Sequence, residues 1–143
     1  MTLAQPSRSP VLLVIDDDLL ILKYQDAVLT AAGFSCRVSR STSDGLRDLD
    51  QHMPDAVLCD YHMPSATGLD FLRGVRAVPA FENLPVGIVT TDIAIADAIV
   101  TQIEAYGGVV RTGVLPREEL VELARQLTNC AGRRRSALRG DSR

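Results

Sequence analysis

Three short runs constrain this chain more than anything else in it. "PVLLVI" (Pro10–Ile15), "DAVLC" (Asp55–Cys59) and "PVGIV" (Pro85–Val89) stay apolar without alternating with polar residues. A strand with one wet face alternates, and one covered on both faces does not. Two further short runs, "SCRV" (Ser35–Val38) and "GVVR" (Gly108–Arg111), complete a set of five strand candidates. A sheet buried on both sides needs helices above and below it, and the segments between the runs supply them.

Leu20, Tyr24, Ala27, Val28 and Ala31 recur at the spacing of one helical stripe, and Gly33 follows where a glycine ends a helix. Leu46 and Leu49 suggest a second helix opened by the polar cluster Ser41–Asp44. Leu69, Leu72 and Val75 mark a third. Ile95, Ile99 and Ile103 mark a fourth with Asp92 as its N-cap. The last carries Leu120, Leu123, Ala124 and Leu127 and is entered through "PREEL", whose glutamates suit a helix N-terminus. Strand and helix alternate five times, which predicts an open parallel α/β sheet with right-handed crossovers.

The size fits one domain: 143 residues, 46% hydrophobic and 23% charged. We expect an N-terminal extension over 1–9, the domain over 10–131, and a basic, disordered tail over 132–143. No apolar run reaches a membrane span, and the start "MTLAQPSRSP" lacks a signal-peptide core, so the expected address is cytoplasmic with no membrane partner. Cys36, Cys59 and Cys130 are scattered, as reduced thiols are. His52 and His62 have no partner at metal spacing and read as solvated loop residues. A net charge of −3 argues against nucleic acid. Arg133, Arg134, Arg135, Arg139 and Arg143 read as a solvated tail, since no aromatic residues are interleaved for base stacking.

In an open parallel sheet, ligands bind beyond the carboxyl ends of the strands. There stand Asp16, Asp17 and Asp18, then Asp60, then Thr90, Thr91 and Asp92. Carboxylates gathered at one edge repel, and without a counter-ion at least one keeps its proton. A hard divalent cation resolves the conflict, and Mg²⁺ leaves oxygen positions for a phosphate group.

With these motifs in place, "VIDDD", "DYHMPSATG" and "VTT" make the chain resemble the receiver domain of bacterial response regulators over Pro10 to Ala131. The resemblance implies a flavodoxin-like (βα)5 fold, a doubly wound five-stranded sheet in the order 2-1-3-4-5. It also implies a role for each matching residue. Asp60 takes a phosphoryl group from a histidine kinase or phosphotransfer protein. Asp16, Asp17 and Asp60 hold Mg²⁺ with the backbone carbonyl of His62. Thr90 hydrogen-bonds the phosphoryl group, while Met63-Pro64 and Gly68 shape the loop after the acceptor. The expected output is a conformational change passed to a protein target that the sequence does not name, so the domain is a signalling module and not an enzyme.

The pattern departs from the family at one end. Receivers carry a lysine at the end of strand five, and here Thr112 stands at that position, with no lysine anywhere after Lys23. A neutral threonine does not replace its charge. Arg111 is adjacent, but alternation along a strand points it away. Val109 takes the place of the aromatic switch residue, and Thr91 that of the small residue after Thr90. Two other readings compete. One is a degenerate receiver that binds partners without being phosphorylated. The other is a haloacid-dehalogenase-type phosphatase with Asp16 as nucleophile, Asp18 as acid/base and Thr90 as second motif. The latter leaves Met63-Pro64 unexplained. The chain is expected to be either a stand-alone receiver or a piece of a longer protein.

Overall fold

The computed structural model describes residues 8–138, with side chains as far as 129. Five parallel strands, β1 (Val11–Ile15), β2 (Ser35–Ser39), β3 (Ala56–Cys59), β4 (Val86–Thr90) and β5 (Val109–Thr112), form one sheet in the order β2-β1-β3-β4-β5. Helices α1 (Leu19–Ala31), α2 (Thr42–Gln51), α3 (Gly68–Arg76), α4 (Asp97–Ala105) and α5 (Arg117–Leu138) provide the crossovers. The expected doubly wound sheet and its strand order are both present.

The unalternating runs have the burial their composition implies. Leu12, Leu13, Val14, Ala56, Val57 and Val86 are fully buried, and the sheet divides their side chains between two cores. Leu13, Ile15, Val57 and Ile88 pack with Phe71, Leu72 and Val75 of α3 and Ile103 of α4. Leu12, Val14 and Leu58 pack with Leu22 and Leu29 of α1 and Leu120, Leu123 and Leu127 of α5. Each apolar side chain so buried contributes about 1.5–3 kcal/mol against leaving it in water. The two edge strands, β2 and β5, are the ones left largely unburied.

Several helix ends follow the chemistry of their residues. Asp18 caps α1 by accepting from the Leu20 and Ile21 amides, and Gly33 turns the chain out of it at a φ of 100°. Ser41 caps α2 through the Asp44 amide. Thr67 and Asp70 form a reciprocal capping box at the start of α3.

Two expectations need correcting. Asp92 is not the N-cap of the fourth helix. That helix starts at Asp97 behind Ala96, which makes no side-chain cap. Asp92 instead accepts from the Ala94 amide at 2.9 Å, a tight turn of its own that asparagine and aspartate side chains favour. Nor is the segment after Ala131 irregular as far as it is described, because α5 continues through Leu138. Arginine, alanine and leucine are good helix formers, and the single Gly132 costs about 1 kcal/mol without ending the helix. Arg139 and Arg143 of the expected tail, and most of the N-terminal extension, lie outside the described residues.

Candidate functional site

Register brings the acids together. β1 pairs with β3 through Ile15↔Cys59, so the next residues, Asp16 and Asp60, emerge side by side at the carboxyl edge. The ladder extends one step further there: the Asp60 amide donates to the Ile15 carbonyl at 2.9 Å and the Asp16 amide to Ser39 at 3.1 Å. This is the point where strand order reverses around β1, the switch point at which open α/β sheets bind ligands. One carboxylate oxygen from each of Asp16, Asp17 and Asp60 lies within 4.8 Å of the other two.

Proximity and burial shift these acids. Asp16 is only 4% exposed, and burial raises its pKa against the opposing hydrogen bond from the Asp18 amide. Asp60 is half-buried, and burial first, then the neighbouring Asp16, push its pKa to about 6. The Tyr61 amide, which donates to Asp60 Oδ1 at 2.9 Å, pulls the other way. Three oxygens so gathered could hold a hard divalent cation such as Mg²⁺. Asp18 belongs to the same sequence run but not to this cluster, since its carboxylate is committed to capping α1. An acid/base role for Asp18, which the phosphatase reading requires, conflicts with that commitment.

The loop after Asp60 is held close. The Gly68 amide donates to the Tyr61 carbonyl at 2.8 Å, and a Cβ on Gly68 would stand 2.7 Å from the Asp60 carbonyl oxygen. Only glycine allows that approach, which ties the start of α3 to the loop after Asp60. Met63 packs against the core and Pro64 is exposed.

On the other flank, Thr90 is 2% exposed and accepts through Oγ1 from the Asp92 amide at 3.1 Å. Strands four and five each run one residue further than expected, so that Thr90 and Thr112 pair in register. Thr112 is exposed, and Thr91 lines the cleft mouth. Arg111 pairs with Val89 and lies along a separate groove with Glu118, Glu119 and Glu122 of α5. Alternation thus turns it away from the acids, as expected. Val109 is half-buried against the α1 and α5 core.

One contact was not anticipated. His62, expected as a solvated loop residue, places Nε2 2.8 Å from Asp92 Oδ2 and stacks edge-on against Tyr61. The pair bridges the loops after β3 and β4. No spacing signal could have revealed it, because the partners are thirty positions apart and meet only through the β3–β4 register.

The whole sheet, its crossovers and the acidic edge match a known pattern. The family model for the response regulator receiver domain matches residues 12–122. The chain belongs to that family. Among curated relatives, the transcriptional regulatory protein PrrA of Mycobacterium tuberculosis is 28% identical over 91 residues, 64% of this chain. The match covers 38% of PrrA, so this receiver spans well under half the length of that relative. Two solved structures share the fold. A putative response regulator from Chloroflexus aurantiacus aligns with a TM-score of 0.78 at 24% identity, covering 85% of this chain and 99% of that one. A CheY-like receiver domain protein from Methanospirillum hungatei aligns at 0.81 and 16% identity, covering 89% and 99%. The receiver is thus a signalling domain of the two-component type, and no described helix is long and apolar enough to cross a membrane.

Proposed function

We propose that this receiver takes a phosphoryl group on Asp60 and that Asp16, Asp17 and Asp60, with the His62 carbonyl, hold Mg²⁺ for the transfer. The reading is carried by one observation: three carboxylate oxygens within 4.8 Å of one another at the sheet's switch point. Bound there, the cation supplies the charge neutralisation that lets a dianionic group approach a cluster of acids. The chain's own residues do the rest. An oxygen of Asp60 attacks phosphorus, and the bond from phosphorus to the donor's imidazole nitrogen breaks. The imidazole leaves with that electron pair and takes up a proton from solvent. A carboxylate is a competent nucleophile for this step.

Thr90 accepts a hydrogen bond from Asp92 through its oxygen, which leaves its hydroxyl proton to donate to the new phosphoryl group. The donor we propose is a phosphohistidine on a sensor kinase or phosphotransfer protein, met in the cytoplasm, with residues 10–131 as the signalling unit. Thr112, Val109 and Thr91 are the positions at which transmission of the signal differs from the family pattern. Titration with Mg²⁺ tests the site. Asp17→Asn should bind Mg²⁺ at least tenfold more weakly than the unchanged protein, and equal affinities would refute the proposed ligand set.

A further inference from the structure

The loop from Thr91 to Ala96 joins β4 to α4 and has little to hold it in place. Most of it is exposed, and α4 behind it starts without a side-chain cap. Ile95 packs against the core at the far end. At the near end the tether is one hydrogen bond, between His62 Nε2 and Asp92 Oδ2 at 2.8 Å. Among the described residues it is the only side-chain hydrogen bond from this loop to the loop after β3 or to any other element beyond β4. A carboxylate only accepts, so Nε2 carries the proton and donates.

Both ends of that bond are anchored. The His62 ring meets the ring of buried Tyr61 edge-on, with 4.8 Å between centroids. Asp92 uses its other carboxylate oxygen for the Ala94 amide at 2.9 Å, and its own amide donates to Thr90 Oγ1 at 3.1 Å. That last bond exists in one staggered well of the Thr90 side chain, because rotation to another turns Oγ1 away from the amide. Contacts therefore run from the loop after Asp60, through the His62 ring and the Asp92 carboxylate, to the Thr90 hydroxyl. With neutral Thr112 opposite Thr90, no charge from β5 helps to orient that hydroxyl.

We infer that His62 is a positioning residue. Its ring N–H, acting through Asp92, holds Thr90 in the one rotamer from which the hydroxyl serves a phosphoryl group on Asp60. This role belongs to the side chain and is separate from that of the His62 backbone carbonyl. Its purpose rests on the reading of Asp60 as phosphoryl acceptor, but the rotamer is set before any transfer and is read without it.

Two substitutions separate the donor from the ring. His62→Phe keeps an aromatic ring against Tyr61 and loses the N–H. His62→Gln loses the ring and keeps a donor near the place of Nε2. In the metal-free full chain, three-bond NMR couplings from the Thr90 methyl carbon to its backbone nitrogen and carbonyl carbon read the rotamer. They should report a single rotamer in the unchanged chain and in His62→Gln, and an average of rotamers in His62→Phe. Asp92→Ala, which keeps the amide but loses the carboxylate, should match His62→Phe. Beryllofluoride, titrated with Mg²⁺ saturating for each protein, should bind His62→Phe about two- to fivefold more weakly than the unchanged chain, the worth of one exposed pair. His62→Gln should restore that affinity. A single rotamer in His62→Phe, or a beryllofluoride affinity that His62→Phe leaves unchanged or His62→Gln fails to restore, would overturn the inference alone. An unchanged chain that binds no beryllofluoride would overturn the acceptor reading, and the inference with it.

Discussion

At the scale of single residues, the site is set by where charge is placed and what burial does to it. Asp60 stands at a pKa of about 6 because it is half-buried beside Asp16, whose own pKa is also raised. A carboxyl group raised in the folded state favours the proton, so in the metal-free protein the stability that Asp60 contributes is fully present below the unfolded value near 4 and is lost as pH climbs through 6. A cation at the cluster must displace the same protons. Mg²⁺ affinity should therefore rise steeply between pH 5 and pH 7, and Mg²⁺ should raise the melting temperature more at pH 7.5 than at pH 5. Calorimetric titration and thermal melts at the two pH values check this, and a flat dependence would contradict the shared-carboxylate site. The acids themselves were readable in the sequence because each directly follows an apolar strand. Their unequal roles were not. Whether an aspartate joins the cluster, as Asp17 does, or caps a helix, as Asp18 does, is decided by backbone direction after β1.

At the scale of elements, the strands were readable because two-sided burial leaves an unbroken apolar run, while helix starts depend on competition for polar side chains. Asp92 had the right residue type and position for a cap, yet its carboxylate is taken by the Ala94 amide and by His62. The one-residue extension of β4 and β5 was equally hidden, since threonine suits a strand end as well as a turn. It matters because it sets Thr90 opposite Thr112. Close approach at α3 gives a sharper test. Gly68→Ala would force a Cβ against the Asp60 carbonyl oxygen at 2.7 Å, and backbone cannot yield cheaply. The substitution should cost roughly 1–3 kcal/mol of stability, the usual range for overpacking, and weaken Mg²⁺ binding by displacing Asp60. Denaturant unfolding with and without Mg²⁺ reads both effects. A variant as stable and as metal-competent as the parent would show that the α3 junction does not position Asp60.

At the scale of the whole molecule, a receiver works by coupling its acidic edge to a distant face, and a ligand shifts such an equilibrium only by its differential affinity for the two states. Here the position opposite Thr90 carries the neutral Thr112. Losing a charged hydrogen bond removes about 1.5–3 kcal/mol from the phosphorylated state, a factor of roughly ten to a hundred in the switched population. Amide NMR shifts around Thr90 and Val109 on adding beryllofluoride should accordingly be small in the unchanged protein and larger in Thr112→Lys. A full shift that the substitution does not enlarge would mean that another group supplies the charge. The parallel sheet with its crossover helices was readable from strand–helix alternation, and its strand order from the family resemblance. The cleft between α1 and the β5–α5 loop was not, because five separate segments line it and no local pattern records their meeting.

Acceptance of a phosphoryl group by Asp60 is the claim on which the rest depends, and mass spectrometry after incubation with acetyl phosphate tests it most directly. With Mg²⁺ the unchanged chain should gain one phosphoryl group, without Mg²⁺ almost none, and Asp60→Asn none under either condition. Equal gain by Asp60→Asn, or no gain by an unchanged chain that binds Mg²⁺, would contradict the account.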